Sequence, residues 1–198
     1  MQIGIASWSL RGLIDSGELP LTEFPRFVKQ TYGVDYVELS QLHFRAYDAR
    51  YLDRIRDTCQ AAGVKVINIP VDIGDVSQPN DRARKHDLRA LALWIDIAEY
   101  LDSPGVRFNT GRYGQDQAGF QRIVESFQKL AEYARPKGIS VVLENHGGIS
   151  SEPNDIKRLF EEVNHPNFRS CPDFGNFSEE NRLVGIRVMA EYALLAHC

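Results

Sequence analysis

Hydrophobic positions along this chain alternate between two periods. Short, near-continuous aliphatic runs occupy Ile3–Ser7, Tyr36–Leu39, Lys65–Pro70, Val106–Asn109, Ser140–Glu144, Arg169–Pro172 and Leu194–His197. Such runs predict parallel strands covered on both faces. Between them apolar residues recur at helical spacing. Phe120, Ile123, Val124, Phe127, Leu130, Ala131 and Ala134 form one stripe. Leu88, Leu91, Ile95, Ala98 and Leu101 form a second, and Ile156, Leu159, Phe160 and Val163 a third. Gly33, Gly63 and Gly138 each fall after a helical run and before a strand, where a left-handed cap is wanted. Pro25 suits the first turn of the first helix, and Pro136 helps to stop the helix before Gly138.

The unit is strand–helix, repeated, closing on a seventh strand, and it requires a parallel sheet with right-handed crossovers. An open doubly wound sheet and a closed ring of strands both satisfy it. The open nucleotide-binding sheet wants a glycine-rich turn after its first strand. Here that turn reads Ser7-Trp8-Ser9-Leu10-Arg11-Gly12. Moreover Glu38, Asn68, Asn109, Glu144, Asp173 and His197 all sit at the C-terminal ends of different predicted strands, and only a closed ring brings those ends to one mouth. The expected fold is therefore α/β, a TIM (β/α)8-type barrel. With seven strands and six helices it is truncated after strand seven, against about 250 residues for a typical barrel. The whole of 1–198 reads as one domain, with Met1 opening the fold.

Composition narrows the function classes. The chain has 198 residues, 43% of them hydrophobic and 25% charged, with a net charge of -4. That is enough to bury a core, and it supplies no basic field for nucleic acid. No apolar run approaches a membrane span of roughly 18 residues, and the N-terminus lacks the charged and apolar regions of a signal peptide. Cys59, Cys171 and Cys198 lack metal-type spacing, so reduced thiols in a cytoplasmic protein are expected.

Chemistry concentrates at the strand ends. Glu144, Asp173 and His197 are two acids and an imidazole, each closing a strand-like segment, and they read as ligands converging on one metal ion. A carboxylate buried there costs several kcal/mol unless a cation or donors compensate it. Each residue has a structural alternative. Glu144 could pair with Arg107, Asp173 could cap the Phe174-Gly-Asn turn, and His197 could be a satisfied core histidine. In Val141-Val-Leu-Glu-Asn-His-Gly-Gly148, strand alternation puts Glu144 and His146 on one face and turns Asn145 away. Glu38, Asn68, Arg107, Asn109 and His146 are candidate substrate contacts, and Trp8 offers a flat face. Against these roles, Trp8 could plug the rim, Glu38 could pair with Arg107, and both asparagines could cap loops. His43, His86 and His165 read as surface residues, and Gly147-Gly148 gives only a weak anion-nest signal.

Val37-Glu-Leu39, Val106-Arg-Phe-Asn-Thr-Gly111, Val142-Leu-Glu-Asn-His146, Asp173-Phe-Gly-Asn176 and Ala196-His197 together resemble the xylose isomerase-like TIM-barrel superfamily, in its sugar phosphate isomerase/epimerase branch. The likeness covers essentially the whole chain and is more specific for the superfamily than for a substrate. It implies a divalent metal held by acids on strands five and six, a histidine on strand seven and a glutamate on strand eight. Glu144, Asp173 and His197 match the first three, and the fourth has no counterpart. Such a ligand set suits Mn²⁺, Mg²⁺ or Co²⁺ and accommodates Zn²⁺. The metal would polarise a sugar carbonyl beside a hydroxyl. Glu144 would handle the proton on the adjacent carbon, with its pKa raised toward neutrality for that work.

The expected activity is thus metal-dependent isomerisation or epimerisation of a sugar or sugar phosphate. Three other outcomes stay open: a dehydratase or lyase of the same superfamily, an apurinic-site endonuclease, or an inactive fragment of a longer enzyme. The endonuclease would need more metal ligands and a basic groove. Unpaired sheet edges invite association with another chain, so a homo-oligomer is a further expectation.

Overall fold

The computed structural model describes residues 2–198, and Met1 lies outside the described residues. Six parallel strands run in sequence order: β1 (Gly4–Ala6), β2 (Tyr36–Glu38), β3 (Lys65–Val71), β4 (Gly105–Phe108), β5 (Ser140–Glu144) and β6 (Phe168–Cys171). Seven α-helices accompany them: α1 (Arg11–Asp15), α2 (Phe24–Tyr32), α3 (Ala49–Ala62), α4 (Asp81–Tyr100), α5 (Gln117–Ala134), α6 (Pro153–Val163) and α7 (Glu179–Ala190). The barrel class stands, and the element count differs from expectation in two places.

The short α1 precedes the helix that carries Pro25, so two helices cross from β1 to β2. The seventh strand is reduced to two parallel bridges, Ala193 to Ser170 and His197 to Asp173. Backbone pairing is nonetheless present at both ends of 193–197. Leu194 N–H donates to Ser170 C=O at 2.9 Å, and His197 N–H donates to Pro172 C=O at 3.0 Å. The ladder lapses between those points, so the segment lies alongside β6 without being a continuous strand.

Local chemistry explains most boundaries. Gly33, Gly63 and Gly138 take φ of 68°, 65° and 70°, the left-handed caps that end their helical runs. Asp48, Asn80, Asp116 and Ser178 accept from the first-turn amides of α3, α4, α5 and α7. The predicted stripe of α5 is buried throughout, and its Phe127 meets Phe168 of β6 at 4.8 Å between ring centroids. Ser7, expected as the last residue of β1, instead opens a 3-10 turn over Ser7–Leu10. Its hydroxyl is taken up by the Ser40 amide at 2.8 Å.

A β-bulge decides where two site residues point. The β2–β3 register passes from Val37 opposite Val66 to Glu38 opposite Asn68, leaving Ile67 as the extra residue. Glu38 and Asn68 are thereby brought side by side at the mouth.

The sheet is strongly curled. The segment 193–197 lies five strand positions from β2. In a flat sheet at about 4.8 Å per strand that is about 24 Å, yet His197 Nε2 is 2.9 Å from Glu38 Oε2. Only curvature into a barrel closes that distance.

Candidate metal centre

Glu144 ends β5, Asp173 follows β6, and His197 is paired to Asp173 through the backbone bridge. One ligand atom from each lies within 4.8 Å of the others, so the three residues expected to converge do so. His197 Nδ1 stands 3.0 Å from Glu144 Oε1 and 3.8 Å from Asp173 Oδ2. Asp173 Oδ1 accepts from the Gly175 and Asn176 amides at 2.6 and 2.9 Å. The turn-capping role anticipated for Asp173 is thus real and is filled by one oxygen, while the other faces the cluster.

Glu144 converges with the other two donors and also takes the partner anticipated as its alternative. Its Oε2 is 2.9 Å from Arg107 Nε, the ion pair anticipated as an alternative. The angle is too poor for a hydrogen bond, so both atoms are buried without a hydrogen-bond partner among the described residues. Burial would raise the Glu144 pKa, but the His197 hydrogen bond and the Arg107 charge outweigh it and hold the carboxyl below its ordinary value. The expected upward shift is not there. Burial would lower the His197 pKa, but contacts with Cys171, Glu144 and Glu38 carry it well above its ordinary value. With no ion bound, a protonated His197 would be the internal counter-charge of the cluster.

A cation fits this donor set. Among the described residues, the ion-pair partners of Glu38, Asp72, Glu144 and Asp173 at the mouth are Arg107 and His197. Acid therefore exceeds base even with the imidazole protonated. Glu38 and Glu144 are buried, whereas Asp72 is exposed and Asp173 half-buried, so solvent shares with any ion the compensation this excess requires. Glu144 Oε2, paired with Arg107 Nε but not hydrogen-bonded to it, and Asp173 Oδ2, 3.8 Å from His197 Nδ1, are the oxygens such an ion would take.

The remaining predicted contacts divide. Glu38 does not pair with Arg107; its Oε2 accepts from Asn68 at 2.7 Å and meets His197. Asn68 is fully buried, with its amide committed to Glu38. Arg107 and Asn109 are both tied to Asp72, at 2.6 and 2.9 Å. Trp8 is 51% exposed at the rim, stacked on His43 at 6.1 Å and covered by Arg11 at 4.9 Å. His146 is exposed and lines a cavity of about 440 Å³ together with Asp72, Asn109, Arg112 and Tyr113. That volume is within the range that holds small ligands.

Alternation could not be extended past Glu144, because β5 ends there. Asn145, expected to turn away, is buried and grips Asp173, donating to its C=O at 2.9 Å and accepting from its N–H at 2.7 Å. His43 is buried rather than on the surface, hydrogen-bonded to Ser7 Oγ at 2.9 Å, and burial lowers its pKa. Sequence reasoning also missed Asp72, Asn176 and Cys171. Asp72 directly follows β3, so the strand-end rule would have found it had the strand been carried to Val71. Asn176 donates to Glu144 Oε1 at 3.3 Å from the Asp173-Phe-Gly-Asn176 turn, a motif recognised in the sequence without a role for its asparagine.

The family profile described as xylose isomerase-like TIM barrel matches residues 26–198, and the chain belongs to that family. Among solved structures, D-psicose 3-epimerase with D-tagatose from Clostridium cellulolyticum H10 superposes with a TM-score of 0.79 at 16% identity, over 100% of this chain and 72% of that one. A xylose isomerase domain protein from Planctomyces limnophilus gives 0.76 at 18% identity, over 99% and 72%. The probable 3-DHS dehydratase of petrobactin synthesis from Bacillus anthracis gives 0.75 at 17% identity, over 100% and 72%. At these identities the likeness is one of fold. No protein of curated function matches the sequence. No helix among the described residues is long and apolar enough to cross a membrane.

Proposed function

We propose that this chain carries the metal centre of a sugar or sugar phosphate isomerase or epimerase, with Glu144, Asp173 and His197 as ligands of a divalent ion. The observation that carries the reading is the convergence of those three donors beside a buried Glu144 oxygen that has no hydrogen-bond partner among the described residues. Mn²⁺, Mg²⁺ or Co²⁺ suits a carboxylate-rich set, and Zn²⁺ is accommodated. When bound, the ion supplies Lewis-acid polarisation of a carbonyl and its neighbouring hydroxyl.

The chain's own residues do the rest. Glu144, its pKa held below the ordinary value, would receive the proton of the carbon next to the carbonyl. Arg107 and Asn109, braced by Asp72, present donors to hydroxyl oxygens, and His146 and Trp8 bound the approach. The three free thiols fit a cytoplasmic enzyme. The neighbours' names favour epimerisation, and the dehydratase among them keeps elimination of water as a second reading.

Two measurements test this. Titration of the chain with Mn²⁺ gives one site, which Glu144→Gln and Asp173→Asn each weaken at least tenfold. A panel of ketoses, aldoses and their phosphates incubated in D₂O with Mn²⁺ exchanges the hydrogen beside the carbonyl. Unaltered Mn²⁺ binding in both variants defeats the ligand assignment. Loss of water instead of exchange moves the activity to the dehydratase class. Metal uptake with neither reaction identifies an inactive chain.

A further inference from the structure

An imidazole cannot turn both nitrogens toward one ion, because their lone pairs diverge. His197 Nδ1 looks toward Glu144 and Asp173, at 3.0 and 3.8 Å, the two proposed acid ligands. Its Nε2 looks across the mouth to Glu38 Oε2 at 2.9 Å. Glu38 is itself buried and held, since the same oxygen accepts from Asn68 Nδ2 at 2.7 Å. That pairing exists because the bulge at Ile67 sets Glu38 opposite Asn68. A buried carboxylate with one oxygen taken twice is poorly placed to greet a sugar. It is well placed to hold a proton on a neighbouring nitrogen.

We propose that Glu38 is the positioning residue of the metal centre: it keeps the proton on His197 Nε2, fixes the ring, and so presents Nδ1 to the ion, with Asn68 bracing Glu38 from β3. The proposal rests on the metal reading above and adds an orienting carboxylate to it. A metal-bound histidine ordinarily donates its other N–H to such a group, and removing that group costs about 10–100-fold in metal affinity.

The test compares the unaltered chain with Glu38→Ala, Glu38→Gln and Glu144→Gln. Mn²⁺ affinity and stoichiometry come from calorimetry, and the His197 tautomer from ¹⁵N NMR with diamagnetic Zn²⁺. Glu38→Ala is expected to bind one Mn²⁺ about 10–100-fold more weakly. Glu38→Gln, which keeps an accepting oxygen, loses less. The unaltered chain shows a protonated Nε2 and a metal-bound Nδ1, and Glu38→Ala shows mixed tautomers. Unchanged affinity in both Glu38 variants beside a weakened Glu144→Gln overturns this proposal alone. So does a metal-bound Nε2, or complete loss of the site in a folded Glu38→Ala, which would make Glu38 a ligand. An unaltered chain that binds Mn²⁺ no better than Glu144→Gln removes the metal reading itself. If Glu38→Ala does not fold, Glu38→Gln and the tautomer of the unaltered chain decide.

Discussion

Asp72 shows how one carboxylate organises the cavity side of the mouth. It takes Arg107 Nη1 at 2.6 Å and Asn109 Nδ2 at 2.9 Å on the same oxygen. Burial would raise its pKa, but the Arg107 charge and hydrogen bond, with Asn109 and His146, hold it below the ordinary 3.8. A depressed folded pKa contributes stability that is present above the unfolded value and is lost as pH falls through the folded one. Melts from pH 7 to pH 2 should therefore lose stability once pH falls below about 3.8. Asp72→Asn should be less stable at pH 7 and show a shallower acid slope. Equal slopes would mean that the Arg107 pair contributes nothing measurable. Cys171 is a residue that function has not absorbed. Burial raises its thiol, and it sits beside His197 without joining the three converging donors.

At the scale of elements, α5 and the loop after β4 are fitted so closely that one glycine is obligatory. A Cβ on Gly119, in the first turn of α5, would collide with the Tyr113 carbonyl, which is backbone and cannot swing aside. Gly63 is different: it needs only its left-handed φ of 65° and has open space around it. Gly63→Ala should cost about 1 kcal/mol in urea unfolding. Gly119→Ala should cost more, about 1–3 kcal/mol, through overpacking. The reverse order would show that the loop yields freely. The α5 stripe and the glycine caps were legible in advance because both follow from local periodicity and backbone sterics. The seventh strand was legible only as an apolar run, since pairing depends on how its neighbour presents hydrogen bonds.

For the whole molecule, curvature brings β2 and 193–197 together across the mouth while leaving apolar surface outside. Leu183 and Val184 on α7 are 76% and 55% exposed, although the same helix buries Gly185 and Met189. Adjacent exposed aliphatic side chains favour association. The chain should sediment as a larger species as its concentration rises, and the double substitution of Leu183→Lys with Val184→Lys should shift it toward the monomer. Identical sedimentation of the two would show that this surface does not mediate association.

By itself the sequence determined the alternation of strand and helix, the caps, the buried stripes and the identity of Glu144, Asp173 and His197 as residues at one mouth. Those features depend on neighbours a few residues apart and on the rule that barrel strands converge at their C-terminal ends. Tertiary structure alone decided that Arg107 chooses Asp72 and Glu144 over Glu38, that Asn145 grips Asp173, and that Glu38 meets His197. These pairings join residues far apart in the chain. They depend on a one-residue bulge and on the curl of the sheet, which leave no periodic trace in the order of side chains.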